Sequence, residues 1–92
     1  MEKFFYRVQK GDNLLSICQR FNSSMGKLIF NNQLKRDVMA GDILLIEREQ
    51  SVYMVKPSDT LEEIAKKFCL SPEHILEKNQ VPYIFCGLII AI

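Results

Sequence analysis

Apolar residues along this chain change their spacing twice and then do so again. Phe4, Tyr6 and Val8 alternate with Phe5 and Arg7, and a step of two puts the first three on one face of a short strand. Lys10-Gly11-Asp12 follows, a cluster that predicts a tight turn. The spacing then lengthens to three and four at Leu14, Ile17, Cys18 and Phe21, the stripe of a helix buried on one side. A start at Asp12 or Asn13 suits this helix, because either side chain can accept hydrogen bonds from free first-turn amides. Asn22 occupies a position suited to a left-handed helix end. A second helix opens at Ser24, carries Leu28 and Ile29 on its apolar side and ends at Asn32, and Gly41 leads a closing strand with Leu44 and Ile46.

The same pattern returns 47 residues later. That offset lays Tyr6 over Tyr53, Val8 over Val55, Asp12 over Asp59, Leu14 over Leu61, Ile17 over Ile64 and Phe21 over Phe68. It continues through Ser24 over Ser71, Leu28 over Ile75, Asn32 over Asn79 and Gln33 over Gln80. One residue is then lost, as a loop tolerates, so that Gly41 meets Gly87, Leu44 meets Ile90 and Ile46 meets Ile92. In the second copy the turn reads Lys56-Pro57-Ser58-Asp59, the first helix starts at Asp59 or Thr60, and Asp59 with Glu62 fits a capping box. Cys69 takes the left-handed position, and Pro72 and Glu73 suit the start of the second helix. The expected architecture is α+β, two tandem β-α-α-β units over residues 4–47 and 52–92 joined by a short connection, 48–51. Ile43, Leu45 and Ile89 fall on the strand face opposite the core, where a solvated sheet carries polar residues. An interface between copies or between chains accounts for them.

Composition narrows the function. Units of about forty-five residues bury little surface alone, so mutual support between the copies is expected. With 12 Lys and Arg against 11 Asp and Glu, the net charge of +1 gives no basic field for nucleic acid or an anionic membrane. The longest apolar run, Tyr83 to Ile92, is far below the roughly twenty residues that cross a bilayer and reads as a buried strand. The amino-terminal residues lack the apolar stretch and cleavage site of a signal peptide. Cys18, Cys69 and Cys86 match neither a disulfide framework nor a zinc site, and reduced thiols are expected, with Cys18 in the core.

Ordinary structural roles absorb most reactive side chains. Asp12 and Asp59 read first as helix caps, and Asn32 and Asn79 as anchors of the loop that follows them. His74 falls in a solvated first turn, and with Cys69 it supplies too few ligands for zinc. Glu62 and Glu63 diverge by roughly a hundred degrees around a helix and cannot flank one glycosidic bond, so they read as a solvated face with Lys66 and Lys67. No catalytic residue, metal ligand or cofactor is expected.

The chain resembles the lysin motif (LysM) family, whose pattern is similar to Tyr-x-Val-x-x-Gly-Asp-Thr-Leu-x-x-Ile-Ala, a helix ending in Asn, and Gly-x-x-Leu-x-Ile. The first copy reads YRVQKGDNLLSIC, Asn32 and GDILLI; the second reads YMVKPSDTLEEIA, Asn79 and GLIIAI. The resemblance implies a two-stranded antiparallel sheet in each unit and non-catalytic binding of N-acetylglucosamine-containing polysaccharide, of peptidoglycan or chitin type. It places the groove between the loop entering the first helix and the loop leaving the second. Carried over, that nominates Gly11, Asp12, Asn13 and Leu14 with Gln33, Leu34 and Lys35 in the first copy. In the second it nominates Ser58, Asp59, Thr60 and Leu61 with Gln80, Val81, Pro82 and Tyr83. Tyr83 is the one aromatic among them, and sugar rings favour aromatic faces. The resemblance also implies a cell-wall or spore-surface setting, or a segment of a larger cell-wall hydrolase or coat protein. The rival expectation is a protein-interaction or assembly module, a spore-coat or cell-envelope scaffold, that keeps the fold without the sugar and uses its exposed apolar strands to form a homodimer or to dock a partner.

Overall fold

The computed structural model describes residues 2–92. Strand β1 (Lys3–Arg7), helices α1 (Leu14–Phe21) and α2 (Met25–Asn32) and strand β2 (Ile43–Glu47) form the first copy, and β3 (Val52–Met54), α3 (Leu61–Lys67), α4 (Pro72–Lys78) and β4 (Ile89–Ala91) the second. β1 pairs antiparallel with β2, Tyr6 opposite Leu44, and β3 pairs antiparallel with β4, Tyr53 opposite Ile90. The expected α+β architecture of two β-α-α-β units with two-stranded antiparallel sheets is the one present.

Each copy has its own apolar kernel. Val8, Ile17, Cys18, Leu28, Val38, Leu44 and Ile46 are buried in the first, and Val55, Ile64, Ala65, Ile75, Leu88 and Ile90 in the second. Aromatic edges seal both: Phe21 meets Phe4 at 5.2 Å and Tyr6 at 5.0 Å between ring centroids, and Phe68 meets Tyr53 at 5.4 Å. Burial pushes the Cys18 thiol up to about 12, so it stays a neutral core side chain.

The helix ends agree with the sequence in part. Ser24 and Ser71 cap α2 and α4, and Asn22 and Cys69 adopt φ of 57° and 58°. Asn13 and Thr60, not Asp12 and Asp59, cap α1 and α3, with Asn13 and Ser16 forming a reciprocal box. The box expected of Asp59 and Glu62 is not formed; the Thr60 hydroxyl accepts from the Glu63 amide and donates to the Glu63 carboxylate. Asp12 and Asp59 are unavailable as caps because the preceding tyrosine hydroxyls donate to them. Asn32 and Asn79 anchor the last strand rather than the following loop. The Asn32 side chain donates to the Leu45 carbonyl and accepts from the Leu45 amide, and Asn79 does the same with Ala91. Of the run from Tyr83 to Ile92, only Ile89–Ala91 is strand, and Tyr83 and Phe85 are exposed.

The copies are docked on each other. Ile89, on the outer face of the second sheet, is buried in the first copy's kernel, with Val52 packed beside it. Met25 touches both kernels. The Ser24 hydroxyl donates to Asn79 Oδ1 at 2.5 Å, wholly buried. Gly26 lies so close to the Asn79 carbonyl and the Val81 side chain that a Cβ would collide with both. The connection is tied down by the Asn22 side chain, which donates to the Glu49 carbonyl, and by Lys27, which pairs with Glu47 at 3.1 Å and buried Glu49 at 3.0 Å. Burial alone lowers the Lys27 pKa, but the two carboxylates outweigh it and keep the ammonium charged. The equivalent outer face of the first sheet is bare, with Phe5 74% and Ile43 53% exposed.

Alanine in a helix is ordinarily worth about 1 kcal/mol over glycine. Gly26→Ala is expected to reverse that sign and destabilise the chain by about 2 kcal/mol in urea unfolding, because the added methyl meets backbone rather than a flexible side chain. A neutral or stabilising result refutes the close docking.

Candidate functional site

The turn after each first strand is built around one polar pair. Tyr6 Oη donates to Asp12 Oδ2 at 2.5 Å and the Gln9 amide donates to the same oxygen at 2.9 Å. Tyr53 Oη, Asp59 Oδ2 and the Lys56 amide reproduce this arrangement at 2.5 and 2.9 Å. In the first copy Arg20 joins in, donating to Tyr6 Oη at 2.8 Å and to Asp12 Oδ1 at 3.0 Å. At the matching position Lys67 sits 5.2 Å from the centre of the Tyr53 ring. These pairs fix the shape of the loops that hold Gly11 to Leu14 and Ser58 to Leu61. The sequence carried a signal for them, tyrosine followed six residues later by aspartate in both copies, which a capping interpretation conceals.

Hydrogen bonding sets the charge of these groups. The Tyr6 hydroxyl, then the Gln9 amide, hold the Asp12 carboxyl below its ordinary value, and Tyr53 followed by the Lys56 amide do the same for Asp59. Conversely the Asp12 and Asp59 carboxylates, followed by burial, raise Tyr6 and Tyr53.

The nominated residues do not share one cavity. Gln33, Leu34 and Lys35 line a hollow of about 510 Å³ with Ile29, Phe30 and Asn31 of α2. Gln80, Val81 and Pro82 line its counterpart, about 390 Å³, with Glu73, Leu76 and Glu77 of α4. Ser58 and Asp59 line a separate cleft of about 170 Å³ with Tyr53, Glu63, Ile64 and Lys67. Leu14 and Leu34 pack against the first kernel and Leu61 and Val81 against the second, so these four present mainly backbone to a ligand. Gly11, Asn13, Lys35, Thr60 and Tyr83 are exposed. One side chain links the two loops of the first copy, Asp37, whose Oδ1 accepts from the Leu14 amide at 3.0 Å. The sequence offered no signal for Asp37, because it falls in the segment where the two copies lose register.

With the repeated frame of tyrosine, aspartate, paired helices and asparagine-anchored strand in place, comparison with known proteins decides the family. A family model described as LysM domain matches residues 6–47 and 53–88. The chain belongs to the LysM family. Both LysM copies are covered, and each matched segment includes its tyrosine–aspartate pair and its anchoring asparagine. The chain is 39% identical over 66 residues to the cell wall-binding protein YocH of Bacillus subtilis (strain 168), a match covering 66% of this chain and 23% of that protein. Among solved structures it is similar to the spore cortex-lytic enzyme SleL of Bacillus megaterium QM B1551, at 29% identity and a TM-score of 0.47 over 96% of this chain and 22% of that one. The Bacillus cereus SleL structure matches at 18% identity and a TM-score of 0.49 over 100% of this chain and 22% of the other. This LysM chain thus spans about a quarter of the length of these relatives. LysM is a binding module, and no group of three or more His, Cys, Asp or Glu suited to a metal occurs among the described residues.

The tyrosine–aspartate pairs predict a pH dependence with two limbs. Asp12 and Asp59 have depressed folded pKa values, so their contribution is present above the unfolded aspartate range and is lost as pH falls through the folded values. Tyr6 and Tyr53 are raised, so their contribution is intact below the unfolded tyrosine value and is lost as pH rises through the folded ones. Urea midpoints are expected to fall below about pH 4 and above about pH 10. The acid limb should flatten in the double variant Asp12→Asn, Asp59→Asn and the alkaline limb in Tyr6→Phe, Tyr53→Phe; unchanged slopes would show that the pairs carry no linkage.

Proposed function

We propose that this LysM chain binds glycans containing N-acetylglucosamine, of peptidoglycan or chitin type, without chemically altering them. The sites of the proposal are the two loops flanking the helix pair: Gly11 to Leu14 with Gln33 to Lys35, and Ser58 to Leu61 with Gln80 to Tyr83. The observation that carries this reading is that both halves of the chain match the LysM domain, with the same tyrosine–aspartate pair shaping the loop into the first helix and the same asparagine anchoring the closing strand. A relative named as a cell wall-binding protein supports it, and with it a cell-wall setting. The chemistry is suitable. Exposed loop backbone offers donors and acceptors to an acetamido group, and exposed Tyr83 offers the sugar ring an apolar face. Docking between the copies holds the two loop pairs in one body.

Titration with chito-oligosaccharides and with muramyl-containing fragments, followed through backbone amide shifts, tests this. Saturable shifts clustered in the loops are expected by about millimolar ligand, the weak end of useful affinity. A spectrum that does not move with either ligand sinks the proposal.

A second reading rests on the bare outer face of the first sheet. The corresponding face of the second sheet is covered by the first copy, whereas Phe5 and Ile43 face solvent. A homodimer through this face would cover them. Light scattering should then give twice the chain mass and Phe5→Lys the single mass; a monomer at all concentrations rejects it.

A further inference from the structure

We infer that the two LysM copies are unequal sugar sites: the first is strapped across its groove by Asp37, and the second, which has Tyr83 in a shortened loop instead, is the one that receives an N-acetylated sugar. This rests on the glycan-binding reading above. It assigns the activity within the chain and names the residues that decide it.

The strap is part of a polar network confined to the first copy. Asp37 Oδ1 accepts from the Leu14 amide at 3.0 Å and from the Val38 amide at 2.7 Å. Arg36 donates to the Asp37 carbonyl at 2.7 Å and to Asp42 at 3.1 Å, and Asp42 in turn accepts from the Met39 amide at 2.9 Å. The loop leaving α2 is therefore bonded to itself and to the loop entering α1. A neutral sugar amide would have to displace a carboxylate from the Leu14 amide, and hydrogen bonds to charged acceptors are roughly twice as strong as neutral ones.

Every charged member of that network is absent from the second copy. Asp42 corresponds to Leu88, and the three residues 35–37 are replaced by Pro82 and Tyr83 alone, because the one-residue deletion falls there. Among the described residues, no hydrogen bond joins the turn at 56–61 to the loop at 80–86. The two loops on either side of the groove are thus untied. In the shortened segment Tyr83 presents an aromatic ring, 65% exposed, with Phe85, 51% exposed, 6.2 Å away between centroids and inclined by 57°. Two neighbouring aromatic faces left in water suit the C–H face of a pyranose, and the first copy has Asp37 and Met39 there instead. Kernel packing does not require either ring, since Ile84 between them supplies the buried contact.

The test is an amide-resolved titration of the full chain with N,N′,N″,N‴-tetraacetylchitotetraose. Wild type should show shifts at 58–61 and 80–86 and none at 11–14 or 33–38. Tyr83→Ala should weaken binding about tenfold with an unchanged unfolding midpoint. Asp37→Ala should speed hydrogen exchange at the Leu14 amide and add a second set of shifts in the first copy. Equal shifts in both copies of wild type, shifts in the first alone, a Tyr83→Ala variant that binds as wild type, or an Asp37→Ala variant with no new shifts would each overturn the assignment while leaving glycan binding standing. No shift in any of the three proteins overturns both.

Discussion

Asn79 is the point on which both halves of this protein depend. It is wholly buried, and its side chain reaches the Ile75 carbonyl in its own helix, the amide and carbonyl of Ala91 in the closing strand, and Ser24 at the start of a helix in the other copy. A buried amide left without partners costs about 1–3 kcal/mol for each orphaned group, so a side chain that satisfies itself only in this geometry selects it. Asn32 makes the equivalent bonds to Leu28 and Leu45 but has no partner from another copy and is only half-buried. The same residue type thus closes a module once and closes the tandem once. Around Asn79, apolar burial completes the joint. Ile89 enters a kernel that is not its own, which gives each very small unit the shared core it lacks alone.

Much of this was legible in the residues. The change of spacing from two to three and four marks strands and helices, and a repeat at a constant offset fixes their order in both copies. Ser24, Ser71, Asn22 and Cys69 stand at the helix ends where local chemistry places them. What local chemistry misassigned was decided by partners distant in sequence or by neighbours in a turn. Asp12 and Asp59 qualify as caps on helix rules alone, but a tyrosine hydroxyl six residues earlier claims each of them, and the next residue takes over the cap. Ile89, by contrast, reads from the sequence as an outward residue that an interface must cover, and the first copy covers it. Tyr83 and Phe85 read as strand because apolar runs do, although the chain is still in a loop there and both rings face solvent.

The nominated site was legible to a lesser degree. Family resemblance pointed to two loops in each copy, and the structure divides their residues among hollows beside α2 and α4 and a cleft beside α3. Leucine and valine side chains among them belong to the kernels, so the backbone and the exposed polar or aromatic groups are what a ligand meets. The inequality of the copies was hidden for a different reason. Arg36, Asp37 and Asp42 act as a set, and no spacing rule ties the loop leaving one helix to the first turn of another.

Gly26 gives the tandem a direction. Its counterpart in the second copy is Glu73, so one helix face can accept a neighbouring peptide oxygen at contact distance and the other presents a charged side chain at the same spot. Reversing the order of the halves would press a glutamate against a carbonyl. A permuted chain, or an array lengthened by simple reiteration of its final segment, would therefore lack a seat for the next sheet. The two parts of the tandem are thus not interchangeable.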